Sequence, residues 1–398
     1  MVTKYAHKKK ISLVLSGGGI KAAAFHIGVC LALKEKGFRF AGGSAEMVKH
    51  QFSDDWPLTI RQYVGSSAGA FIASILASGY DAESLVNAFQ VGIGDVPMFD
   101  NKDLQSLKPI TYSDMFNLDA PGLAQFIPDF FFKKSLFSGG LEALLKKGLK
   151  VNSLFSTKGL EKYLRKDALI YNDFFKLGVE LYIVATQLNH TRKALFSAYP
   201  ETYKTNSTYF INYASISEAV ACSASLPPVF SPYGLKTPEG QEIYFYDGEI
   251  RETLSTHVAT DHGADLVIAS HSVQPYHFTK EVGSLHKFGF PVILNQALYQ
   301  VIEQKIEKQK MNQIQYRQLY QDVSFYCQKH QIPENEKQDL LGLVQKNLNY
   351  KHDADYIFIH PSPQNYEMFF ADHFSLNPKI LFNIVRAGFK ATLTALKQ

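Results

Sequence analysis

The chain has 398 residues, 46% hydrophobic and 20% charged, a composition outside the disordered, collagen-like and disulfide-scaffold classes. Lys and Arg number 41 against 37 Asp and Glu, so the formal net charge of +4 is too balanced to point to nucleic acid. Three cysteines, Cys30, Cys222 and Cys327, are odd in number and far apart, which argues against a disulfide framework or a zinc site.

The N-terminus starts basic (Lys4, Lys8, Lys9, Lys10), but its apolar run at 11–15 is too short for a secretory signal. No stretch of 18 apolar residues follows, so the expectation is a cytoplasmic or membrane-peripheral protein without a transmembrane helix. Export by a route without a signal peptide stays open. Period-2 or continuous apolar runs bounded by turn residues predict buried strands at 11–15, 60–64, 181–185, 243–246, 266–269 and 356–359. Helical periodicity predicts helices at 22–36, 68–77, 217–224, 298–328, 337–348 and 378–396. Strands alternating with helices imply a mostly parallel sheet covered on both faces. The organisation expected is one domain over 10–398 with its motifs in 10–272, an insertion or lid at 95–150, a helical appendage at 283–350, and a final strand and helix at 353–398.

Chemistry concentrates at three places. Gly65-Ser66-Ser67-Ala68-Gly69 is a G-x-S-x-G between a strand and an Ala-rich helix, the context in which a sharp turn lifts the Ser67 hydroxyl above a sheet. Ser16-Gly17-Gly18-Gly19-Ile20-Lys21 is a second strand-to-helix loop, whose amides can converge on a phosphate or an oxyanion. Its spacing fits neither G-x-G-x-x-G nor G-x-x-x-x-G-K-[ST], so with a serine nucleophile elsewhere an oxyanion hole is the better assignment. Asp247-Gly248 follows the predicted strand at 243–246, where open α/β sheets gather catalytic groups. Asp247 could take the serine proton itself, or orient His257, His262 or His271 in a Ser…Asp…His order. His26 lies on the buried stripe of the first helix and reads as a packed core residue. No acidic calcium loop stands out, and serine chemistry of this kind needs no metal or cofactor.

In order and spacing these motifs resemble the patatin-like phospholipases: the Gly17, Gly18, Gly19, Lys21 loop, the helix Ala24-Phe25-His26-Ile27-Gly28-Val29, the G-x-S-x-G, the run Ala221-Cys222-Ser223-Ala224-Ser225-Leu226-Pro227-Pro228-Val229-Phe230 and Asp247-Gly248. The resemblance spans about residues 10–272, and more weakly 353–396. It implies a three-layer α/β/α sandwich and a Ser67–Asp247 dyad with no catalytic histidine. It also implies an oxyanion hole from Gly17, Gly18 and Gly19, supported by Lys21, Gly65, Gly69 and Gly248, and acyl-lipid substrates such as phospholipids and lysophospholipids. The alternatives are a catalytically weak or inactive lipid-binding protein on this fold, and an esterase or thioesterase with a Ser-Asp-His triad. The sequence departs from the family at Ala22, where a glycine is usual, at Lys21, where Arg is more frequent, and at Glu249, where Gly or Ala is usual. An Asn-Pro pair is also missing after it. Glu249 is expected to point away from the Asp247 side, unless the backbone turns at Gly248.

Two features suit a lipid surface. Phe116, Phe126, Phe130, Phe131, Phe132 and Phe137, followed by Leu141, Leu144, Leu145 and Leu149, could form an interfacial lid or fill an auxiliary core. Residues 133–166 carry nine Lys and Arg against two Glu, a net of +7 hidden within the overall +4. The expected partner surface is therefore a membrane, contacted through residues 116–166.

Overall fold

The computed structural model describes residues 2–53, 56–90, 92–93, 96–97, 107–118, 155–199 and 207–397. The anticipated strands appear as β1 (Ile11–Leu15), β2 (Thr59–Ser66), β3 (Glu180–Gln187), β7 (Glu242–Asp247), β8 (Leu266–Ser270) and β9 (Asp355–Ile359). The sequence reading did not foresee β4 (Lys193–Phe196), β5 (Thr208–Ile211) or β6 (Tyr233–Lys236). The strands lie in the order β5-β4-β3-β2-β1-β8-β9. From β3 to β9 neighbours run parallel, as strands joined by helical crossovers do. Antiparallel pairing enters at one side, where β4 runs against β3 and β7 against the end of β3. The run at 243–246 is thus not a fully buried strand: along β7 only Phe245 and Asp247 are buried.

Side chains of the central strands alternate between two cores, which is why these strands are mostly apolar on both faces, with Ser12 and Gln62 as buried polar exceptions. Leu13, Leu15, Tyr63 and Ile183 face one core, packed against α1 (Gly19–Glu35), α2 (Ala68–Ala77) and α7 (Pro378–Ala395). Val14, Val64, Val184 and Val267 face the other, together with Val258 of α4 (Thr256–Asp261) and Ile306 of α5 (Phe290–Lys329). This is the expected three-layer α/β/α architecture. α5 starts eight residues before the predicted 298 and is followed by α6 (Glu334–Leu348). Among the described residues no helix is long and apolar enough to cross a membrane. Phe126, Phe130, Phe131, Phe132, Phe137, the four leucines after them and the lysines up to Lys150 lie outside the described residues.

Candidate active site

The G-x-S-x-G sits where β2 turns into α2. Ser67 takes φ 52° and ψ −120°, a conformation rare for a residue with a side chain and costing on the order of 1–3 kcal/mol. The turn is this tight because Gly69 lies against β1: a Cβ there would come within 2.1 Å of the Leu15 carbonyl oxygen. Gly65 is likewise pressed on Ala70, and Gly248 on the Val184 carbonyl. Ser223, at the end of α3 (Ile216–Ser223), anchors the elbow by accepting the Ser67 amide at 2.8 Å while donating to Val184 O at 2.6 Å.

Asp247 reaches Ser67 through sheet topology. β2 pairs with β3 as far as Val184, opposite Ser66. β7 arrives from the opposite direction along the same edge of β3 and sets Asp247 against Ala185, the next residue. The two strands meet head to head, and the side chains at their junction interact: a hydrogen bond with Ser67 acts on the Asp247 carboxyl. Burial pushes Asp247 up to about 6, against the stabilising pull of Ser67 and of the Glu249 amide, which donates at 2.9 Å.

Glu249 does not point away. The backbone turns into a 3-10 segment at Gly248–Ile250, and the Glu249 carboxyl swings over the glycine loop, accepting the Gly17 amide at 2.8 Å. A Cβ on Gly17 would lie 2.7 Å from Glu249 Cγ and 2.8 Å from Ser67 Cβ, so three segments converge within van der Waals contact here. Burial, then the nearby Asp247, drives Glu249 up to about 8; the Gly17 amide and Lys305 oppose this. One of the three candidate oxyanion donors is therefore already engaged. Among the described residues the Gly18 and Gly19 amides donate no hydrogen bond. Gly19 and Ser67 line a mainly apolar cavity with Ile20, Phe71, Leu160 and Phe374. At its rim Phe116 stacks on Phe230 at 5.5 Å and meets Phe155 and Phe374 edge-on, so this member of the aromatic series packs in a core.

The histidines sort clearly. His26 is buried as expected, its ring nitrogens bonded to Ser270 Oγ (2.9 Å) and the Ser16 carbonyl (2.8 Å), and burial lowers it to about 4. His257 contacts Lys193, His262 the Val258 carbonyl and His271 the Val273 carbonyl. Among the described residues none of these three bonds to Ser67 or Asp247. Lys21 is buried, lowered to about 7 by burial with Asp372 opposing, and donates to Tyr299 Oη at 2.9 Å. Among the described residues no group of three or more His, Cys, Asp and Glu could hold a metal ion. Sequence reasoning missed Ser223 as an anchor, and also Tyr299 and His373, whose contacts link segments far apart in the chain.

A strand-turn-helix serine, an aspartate and a glycine loop thus lie together on a mostly parallel sheet covered on both faces. The family model for patatin-like phospholipase matches residues 13–260, and the chain belongs to that family. Membership supports lipid acyl hydrolase activity. No curated protein matches the chain. Among solved structures, VipD from Legionella pneumophila is similar over 98% of this chain and 67% of its own, at 17% identity and a TM-score of 0.40.

Proposed function

We propose that this protein hydrolyses fatty-acyl esters of phospholipids or lysophospholipids through a Ser67–Asp247 dyad. The observation that carries this reading is the meeting of β2 and β7 on one edge of β3, which puts the strained Ser67 beside a buried carboxyl at the end of an apolar cavity. Asp247 takes the hydroxyl proton as Ser67 Oγ bonds to the acyl carbon, and the carbonyl π pair moves onto oxygen. The Gly18 and Gly19 amides receive that charge. Collapse expels the alcohol, which leaves with the proton from Asp247; water then repeats the cycle in the same sense and frees the fatty acid. The apolar cavity suits the acyl chain, and residues 116–166 would meet the membrane.

A second reading, a lipid-binding protein without turnover, is favoured by the Glu249 carboxyl on the Gly17 amide. A third, an esterase with a histidine in a triad, has no histidine bonded to Asp247 among the described residues. A lipid panel followed by mass spectrometry, run on wild type, Ser67→Ala and Asp247→Asn, separates them. The expected result is fatty-acid release by wild type, none by Ser67→Ala and a loss of about 10²-fold or more for Asp247→Asn. An intact protein that a fluorophosphonate never labels at Ser67 would favour the binder. Loss of activity on changing His257, His262 or His271 to Ala, with the fold retained, would favour the triad.

A further inference from the structure

Beyond the dyad, a chain of hydrogen bonds runs from Lys21 back to the glycine loop through two residues outside the 13–260 match, Tyr299 and His373. Lys21 Nζ donates to Tyr299 Oη at 2.9 Å; Tyr299 Oη lies 2.6 Å from His373 Nε2; His373 Nδ1 lies 3.1 Å from the Gly18 carbonyl oxygen. The direction of the chain is fixed by chemistry. A carbonyl oxygen only accepts, so Nδ1 carries the hydrogen. Burial first, and then the Lys21 charge, lowers His373 to about 3, so its ring is neutral and Nε2 must accept from Tyr299. Tyr299 Oη in turn accepts a hydrogen bond from Lys21 Nζ. Each link polarises the next toward the loop.

We propose that His373 is a positioning residue for the glycine loop: oriented by Tyr299 and Lys21, it fixes the Gly18–Gly19 peptide so that the Gly19 amide faces the oxygen that develops on the Ser67 adduct. This rests on the hydrolase reading. In a planar trans peptide the N–H points opposite to the C=O, so holding the Gly18 carbonyl aims the Gly19 N–H. The helix alone holds it weakly, because the Ala22 amide is 3.4 Å from the same oxygen and the His373 contact is the shorter. Tyr299 is itself locked, buried with its ring edge-on to Phe369. The His373 main chain also supports the loop, accepting the Lys21 amide at 3.2 Å, and this contact survives removal of the side chain.

The test measures kcat and KM on a soluble p-nitrophenyl ester for wild type, Ser67→Ala, His373→Ala, His373→Asn and Tyr299→Phe, with thermal unfolding of each. Asn places an amide N–H where His carries Nδ1, so it can restore the Gly18 contact without the link to Tyr299. His373→Ala should lose about 10- to 100-fold in kcat with KM within about 3-fold, short of the 10²–10³ seen when an oxyanion donor is deleted. His373→Asn should recover most of that loss, and Tyr299→Phe should fall between. A kcat within about 2-fold of wild type in His373→Ala overturns the inference. So does an equal loss in the Ala and Asn variants that follows their loss of stability. Failure of wild type to turn over any ester, or activity persisting in Ser67→Ala, would instead overturn the hydrolase reading and this inference with it.

Discussion

Asp247 and Glu249 are two residues apart and both lifted above the usual carboxyl range, yet in the proposed mechanism their positions give them opposite effects on turnover. Asp247 lies beside Ser67 and, in the proposed mechanism, must be ionised to take its proton, so kcat/KM on a soluble ester should rise with pH through about 6. Glu249 lies on the Gly17 amide and is neutral until about pH 8. Once ionised it grips that amide harder and sets a negative charge beside the forming oxyanion. The ratio of kcat/KM for Glu249→Gln to wild type should therefore stay flat from pH 6 to 7 and climb above 8. A flat ratio to pH 9 would show that Glu249 does not act on the reaction. The same shift is a stability statement. A carboxyl with a raised folded-state value binds more protons folded than unfolded, so its contribution declines as pH rises from its ordinary 4.5 to about 8. Glu249→Gln removes this decline, and its Tm advantage over wild type should be larger at pH 9 than at pH 5.

At the scale of elements, α1 and α7 cross closely enough for their backbones to touch. A Cβ on Gly28 would meet the Val385 carbonyl oxygen at 2.0 Å, and one on Gly388 the Phe25 carbonyl at 2.1 Å. Because the segment that leads into α7 carries His373 to the glycine loop, the positioning proposed for that loop depends on this crossing as well. Gly388→Ala should cost about 1–3 kcal/mol in chemical denaturation and lower kcat beyond any loss of folded protein. Normal turnover at reduced stability would uncouple the two. How far these elements were legible follows from what encodes them. β1 and β8 are buried along their whole length and announce themselves as nearly continuous apolar runs, whereas β2, with Arg61 and Gln62 in its middle, shows itself through Ile60, Tyr63 and Val64 before the G-x-S-x-G. β4 and β5 have four residues each, and Lys193 and Thr208 open them, so local pattern could not separate them from loop. Ser67 and Asp247 stood out because their turn chemistry is local. Tyr299 and His373 carry no local signature, their contacts spanning 278 and 355 residues of sequence to the glycine loop. Glu249 stood out as a departure, but its direction depends on the turn at Gly248.

For the molecule as a whole, the formal +4 conceals an uneven distribution that bears on how a lipid reaches Ser67. The basic segment 133–166 ends on the helix Lys158–Tyr163, whose Leu160 lines the cavity beside the candidate nucleophile. Lys158, Lys162 and Lys166 are exposed around it, whereas Arg165 is tied to Glu161 at 2.7 Å. Exposed lysines beside this cavity would draw the protein onto anionic head groups, each worth about 1 kcal/mol near the surface. Replacing Lys158, Lys162 and Lys166 by Gln should weaken binding to phosphatidylserine vesicles by about fivefold per charge. Raising salt from about 50 to about 300 mM should slow wild-type hydrolysis on those vesicles, because the Debye length shrinks below the reach of the exposed charges. The soluble ester serves as the control, since it needs no docking: its turnover should be nearly indifferent to both changes. Equal salt sensitivity on the two substrates would place the effect in the chemistry at Ser67 and remove the docking role of the basic segment. Loss of vesicle binding in a variant with Ser at Phe130, Phe131 and Phe132, at unchanged soluble-ester activity, would instead assign docking to apolar insertion.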